Sequence, residues 1–95
     1  MDLNGLNFDQ LVDLWWENLG NEDYQKIILK KMSELADTFN QWKLVWTRAW
    51  DLRECGIELI AFYKAGELAE TREEILAHHI MSYDPLVPSG QNSAA

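Results

Sequence analysis

Residues 39–62, FNQWKLVWTRAWDLRECGIELIAF, decide how the rest of the chain must fold. Large apolar side chains recur there every three or four residues, which is the repeat of one face of an α-helix. This first apolar face consists of Phe39, Trp42, Trp46, Trp50, Ile57 and Ile60. A second apolar face, on another side of the same helical wheel, consists of Leu44, Leu52, Cys55, Leu59 and Phe62. The pattern predicts one long helix that runs to about Ala65 and is ended by Gly66.

A helix that is apolar over most of its circumference must be covered on most sides. Three other short helices of the same chain could cover it, and both faces would then be core. A chain of 95 residues has little material for covering both, so we favour a model in which one face meets its own chain and the other meets a partner. Five tryptophans support this model, because Trp is enriched at interfaces. The predicted protein-binding residues are Trp42, Trp46, Trp50, Leu52, Leu59 and Phe62.

Capping sequences divide the remaining chain into helices. Asn7 and Gln10 have the form of a capping box and begin a first helix, which Gly20 ends after Leu19. Asn21 is placed to cap a second helix.

Two further capping boxes mark later boundaries. Thr38 with Gln41 predicts a break near residues 37–41, and Thr71 with Glu74 begins a last helix that ends at Asp84 and Pro85. No segment alternates strictly enough to be a strand. The sequence therefore predicts an all-α fold, a small bundle of three or four antiparallel helices within residues 1–84. Residues 85–95 are poor in large apolar side chains and are expected to be a disordered tail.

The charge of the chain argues against direct binding to nucleic acid. Sixteen Asp and Glu face eight Lys and Arg, a formal net charge of −8, whereas phosphate contact needs a basic surface. The acids are concentrated in residues 1–24, which contain no base, while residues 25–48 are basic on balance. One interpretation is that an acidic first helix lies against a basic second one within the same molecule. The alternative is that the acidic segments imitate a phosphate backbone and occupy the groove of a nucleic-acid-binding protein.

The remaining composition indicates a cytoplasmic protein without a membrane span. Cys55 is the lone cysteine and cannot form a disulfide within the chain, and no secretory segment is recognisable at the N-terminus. Uninterrupted apolar runs are only a few residues long, which is too short for a transmembrane helix.

Two acidic strips have side chains of the type that bind metal ions. Glu70, Glu74 and His78 are spaced to share one helix face, and Asp51, Glu54 and Glu58 form a similar strip on the third helix. Glu-rich turns are ordinarily solvated helix surface. We therefore expect no metal, no cofactor and no catalytic residues.

The segment from Glu34 to Asp37 has the form Glu-x-x-Asp. It resembles one of the two carboxylate motifs of the MazG-type nucleotide pyrophosphatases, which are all-α chains of comparable size. That resemblance implies magnesium-dependent hydrolysis of nucleoside triphosphates, the alternative function. The paired-glutamate motif that precedes it in the family has no counterpart here. The upstream acids, at other spacings, are Asp13, Glu17, Glu22 and Asp23.

The sequence as a whole predicts a noncatalytic binding or inhibitory protein that assembles as a homodimer and binds a larger protein partner. Small acidic helical proteins that block a larger machine, including those carried by phages and plasmids, share this composition. The homodimer is expected because a core of about eighty residues is only marginally stable alone.

Overall fold

The computed structural model describes residues 3–88, which form five α-helices and no β-strand. The helices are α1 (Phe8–Glu17), α2 (Glu22–Leu35), α3 (Phe39–Leu52), α4 (Cys55–Leu68) and α5 (Arg72–Met81). The predicted all-α class is confirmed, but the predicted count of three or four helices is too low. Helices adjacent in the chain pack together, α2 also contacts α4, and the molecule measures 49 × 25 × 17 Å. The antiparallel bundle stays a prediction. No helix within residues 3–88 combines the length and the apolar character that crossing a bilayer requires.

The predicted capping boxes are present. Asn7 Oδ1 accepts from the backbone N–H of Gln10 at 2.8 Å, and Gln10 Oε1 accepts from the N–H of Asn7 at 2.9 Å. The same reciprocal pair forms between Thr38 and Gln41, so the predicted break between the second and third helices is confirmed. Thr71 with Glu74 begins α5 in the same way, Asn21 caps α2, and Gly20 adopts a left-handed φ of 89°. The capping side chains satisfy backbone N–H groups that a helix start leaves unpaired.

The predicted long third helix is wrong, because the chain breaks between α3 and α4. Arg53 adopts the left-handed conformation, with φ 58° and ψ 36°. The N–H of Glu54 donates to Ala49 O at 2.9 Å and that of Arg53 donates to Trp50 O at 3.1 Å, which together form a Schellman motif. Glycine usually occupies this left-handed position, so an arginine there gives no signal in the sequence. Gly66, the predicted stop, lies inside α4.

The break removes the two continuous apolar faces that were predicted. Side chains that a single wheel placed together now belong to different helices, and α3 and α4 fold back to pack against each other. The core is built from all five helices and both flanking segments. Its buried members are Leu3, Phe8, Leu11, Trp15, Ile28, Leu29, Met32, Phe39, Trp42, Val45, Ala49, Ala61, Phe62, Ala65, Met81 and Val87.

The burial of Val87 moves the end of the folded part beyond residue 84. Its side chain is 4% exposed and its N–H donates to Asp84 O at 3.0 Å. Val87 belongs to the segment that the sequence predicts to be a disordered tail, and its side chain packs in the core. The rest of the predicted tail, residues 89–95, lies outside the described residues.

The imidazole of His78 fixes α5 on α4. The ring stacks on Phe62 with 4.3 Å between centroids, and Nε2 lies 3.0 Å from the Phe62 carbonyl oxygen. This approach depends on Gly66, because a Cβ built there would lie 2.7 Å from His78 Nε2. Glycine in the middle of a helix is therefore explained by close packing.

Candidate protein-binding surface

Two adjoining cavities open where α1 and α3 end and α2 and α4 begin. The first, of about 500 Å³, is lined by Trp50, Asp51, Arg53, Cys55 and Leu86. The second, of about 360 Å³, is lined by Trp15, Trp16, Leu19, Gly20, Glu22, Gln25, Arg48, Asp51 and Leu52. Asp51 lines both cavities, so they form one continuous surface. We call these residues together the tryptophan surface.

The left-handed turns after α1 and α3 place this surface. Gly20 turns the chain between α1 and α2, and Arg53 turns it between α3 and α4. Both positions line a cavity. An ion pair of 3.6 Å between Lys26 Nζ and Glu54 Oε1 joins α2 to the second turn. The two turns and this ion pair therefore place the ends of α1 and α3 beside the starts of α2 and α4.

Arg48 connects the tryptophans of α1 to α3. Its guanidinium carbon lies 5.0 Å from the centroid of the Trp16 ring and 5.6 Å from that of Trp15. Its Nη1 lies 3.4 Å from Asp51 Oδ2. A guanidinium over an aromatic ring is attracted by the ring's quadrupole. Arg48 thus contacts an exposed tryptophan of α1 and a carboxylate of its own helix at the same time.

Two tryptophans on this surface are half exposed, Trp16 at 53% and Trp50 at 52%, and Leu19 is more exposed still. Trp is normally one of the most buried residue types on average. Trp and Arg are also the residues that most often dominate binding energy at protein interfaces. The surface therefore has the composition of a protein-binding site.

The six predicted binding residues lie in three different environments in the structure. Trp50 and Leu52 line the tryptophan surface. Trp42 and Phe62 are buried members of the molecule's own core. Trp46 and Leu59 are partly buried against that core, and no residue in the described part of the chain pairs with the buried Trp46 Nε1. A binding role for the six stays a prediction.

Trp16, Leu19 and Arg48 were missed as site residues by sequence reasoning. A signal was present, since adjacent tryptophans on a helix point about 100° apart and both are seldom buried together. Cys55 was predicted to be an apolar filler of the second face. That prediction is wrong, because Cys55 is exposed at the first turn of α4 and lines the larger cavity.

A buried carboxyl lies beneath the segment that carries Leu86. Glu58 is fully buried, and as a carboxylate it has no hydrogen-bond partner among residues 3–88 for either oxygen. Burial raises the pKa of Glu58 to about 7, and the neighbouring Asp84 adds to the shift by hydrogen bonding and by its negative charge. A protonated Glu58 can donate to Asp84, whose Oδ1 accepts from the N–H of Leu86 at 2.8 Å. The pair therefore secures the segment that forms one wall of the larger cavity.

The acidic strips considered as metal sites do not converge. Backbone N–H donation from Glu70, then from Thr71, lowers the pKa of Glu74, which serves as a helix cap. His78 packs against α4 instead of joining that strip. Within residues 3–88 no three His, Cys, Asp or Glu side chains are grouped so that they could hold a metal ion.

In comparisons with known proteins, the chain matches no protein-family model, no curated protein and no solved structure.

Proposed function

We propose that the chain is a noncatalytic cytoplasmic protein, homodimeric, that binds and regulates or inhibits a larger protein partner through the tryptophan surface. The observation that carries the proposal is the pair of half-exposed tryptophans on either side of the Arg48–Asp51 ion pair. Aromatic anchors surrounded by residues that exclude water are the usual centre of binding energy at an interface.

The contacts that Arg48 already makes within the chain favour tight binding. Arg48 is stacked and ion-paired, and its side chain is only 15% exposed. Binding therefore does not have to order it, and ordering of side chains is a main cost of association. The two open cavities also offer space for side chains of a partner on both sides of Asp51.

The surface carries both signs of charge, which supports a protein partner over imitation of a phosphate backbone. Arg48 and Arg53 stand beside Asp51 and Glu22. A surface that imitated a phosphate backbone would instead present a continuous row of acids.

Affinity capture tests the proposal. The full chain is immobilised and exposed to lysate of its host, in parallel with a Trp16→Ala/Trp50→Ala double variant and with Ile27→Ala as the matched control. Ile27 is an exposed apolar residue of α2 that lines neither cavity. We expect a stoichiometric partner to be retained by the wild type and the control and to be lost from the double variant. Retention by all three would contradict the proposal.

The pyrophosphatase alternative has its own assay. Nucleoside triphosphates and Mg²⁺ are added to the pure chain, and pyrophosphate is measured. Turnover that is lost in Glu34→Gln and Asp37→Asn variants would replace the binding hypothesis with the enzymatic one.

A further inference from the structure

The outer face of α5 is apolar and uncovered. Its large side chains are strongly exposed, with Ile75 at 55%, Leu76 at 54%, Ile80 at 68% and Tyr83 at 73%. The helix packs on α4 through His78, and its buried residue is Met81. Apolar side chains are seldom exposed together on one helix face unless something binds there.

These residues form one strip. At 100° per residue, the side chains of Ile75, Leu76, His79, Ile80 and Tyr83 fall within an arc of roughly 140°. The last turn continues past the helix end, since the N–H of Tyr83 donates to Ile80 O at 3.1 Å. The Tyr83 hydroxyl lies 3.3 Å from His79 Nε2, which places that ring along the same strip. Arg72 stands at the opposite end, on the same side of the wheel.

We infer that a second copy of this chain covers the strip, with the two α5 helices antiparallel across a two-fold axis. The inference rests on the homodimer in the proposed function and assigns its interface to α5 in place of the predicted apolar faces of α3 and α4. The tryptophan surface is then left free for the larger partner.

The area reaches the lower limit for a specific dimer. From their exposed fractions, the four apolar side chains present roughly 450 Å² on one copy. Two copies together hide on the order of 1,000 Å² once flanking atoms are included, which is where specific interfaces begin.

Charge complementarity favours the antiparallel arrangement. It sets Ile75 against Ile80 of the second copy and Arg72 against Tyr83 of the second copy, a pairing of a cation with an aromatic ring. A parallel arrangement would bring Arg72 to Arg72 of the second copy and Glu73 to its own counterpart, and like charges that close repel. The strip is therefore complementary to a second copy of itself in the antiparallel arrangement, because it carries an aromatic ring at one end and a cation at the other.

Sedimentation equilibrium on the full chain tests the inference. The samples are the wild type, Leu76→Glu, Ile80→Glu, Trp50→Ala and the control Ile27→Glu, whose position on α2 is as exposed as those on α5. Circular dichroism confirms the helix content of each variant. Because the substituted side chains are exposed, folding should be retained, and either α5 variant suffices if the other does not fold.

We expect the wild type, the Ile27 variant and the Trp50 variant to be dimers, and the two α5 variants to associate at least tenfold more weakly. A dimer that survives both α5 substitutions would overturn the inference, and its loss in Trp50→Ala would place the interface on the tryptophan surface. A monomeric wild type would overturn both the inference and the proposed homodimer, while leaving the affinity-capture result to decide on the larger partner.

Discussion

The guanidinium carbon of Arg48 lies 5.0 Å from the centroid of the Trp16 ring while its Nη1 lies 3.4 Å from Asp51 Oδ2, so one side chain of α3 contacts both an exposed tryptophan and a carboxylate. This relationship joins the two cavities of the tryptophan surface. The proposed binding surface and the stability of the fold are therefore expected to depend on the same residue.

Replacing Arg48 with Ala should lower the free energy of unfolding by about 1 to 2 kcal/mol, because it removes a partly buried ion pair and a contact between a cation and an aromatic ring. Urea denaturation at neutral pH measures the change. Lys26→Ala is the control, since its ion pair with Glu54 is more exposed and should contribute less than about 1 kcal/mol. Equal effects of the two substitutions would show that Arg48 has no special role.

Glu58→Gln should abolish a pH dependence that the wild type shows. Because the folded state raises the pKa of Glu58 from 4.5 to about 7, the folded protein holds a proton that the unfolded chain has released between those values. The free energy of unfolding therefore falls as pH rises through that window, by up to about 3 kcal/mol. Urea denaturation at pH 4.5, 6 and 8 measures this fall in the wild type and in the variant.

At pH 8 the Gln variant should be the more stable protein, because it carries no charge to bury. Glu67→Gln, an exposed position on the same helix, is the control and should leave the pH dependence intact. A wild-type stability that does not decrease between pH 4.5 and 8 would refute the role given to the Glu58–Asp84 pair.

Gly66→Ala should destabilise the fold by about 1 to 3 kcal/mol, although alanine is the better helix former, because the new Cβ meets the His78 ring at 2.7 Å. In a His78→Ala background the same substitution should stabilise by up to about 1 kcal/mol. Thermal denaturation of the four proteins forms a double-mutant cycle. If Gly66→Ala has the same effect in both backgrounds, the contact does not explain the glycine.

Arg53→Gly should stabilise the chain by up to about 1 kcal/mol, since glycine adopts the left-handed conformation without the steric cost that arginine bears. Lys64→Gly, an exposed position within α4, should instead cost about 1 kcal/mol. Chemical denaturation compares the two. Destabilisation by both would mean that Arg53 contributes contacts that outweigh its backbone strain.

Whether a helix boundary could be predicted from the sequence depends on which groups make the hydrogen bonds at that boundary. Thr38 and Gln41 mark a helix start because their side chains make the capping hydrogen bonds themselves, so the boundary is visible in the residue types. The break at Arg53 depends on backbone hydrogen bonds to Ala49 and Trp50, which any residue can make. It is therefore invisible to sequence.

The same reasoning explains what was missed at the candidate site. Trp50 was identified because it lies on an apolar repeat. Its exposure, and the fact that it shares one surface with Trp16, follow from how α1 and α3 end beside each other. That juxtaposition is a tertiary property, as is the burial of Val87.

Tryptophan-resolved NMR tests the central claim that the tryptophan surface is the contact surface for the partner. The chain is labelled with 5-fluorotryptophan, and each of its five resonances is assigned by a single Trp→Phe variant. The captured partner is then titrated in. We expect the resonances of Trp16 and Trp50 to shift or broaden, while that of the buried Trp42 stays in place. A saturated complex in which Trp16 and Trp50 are unchanged would contradict the account.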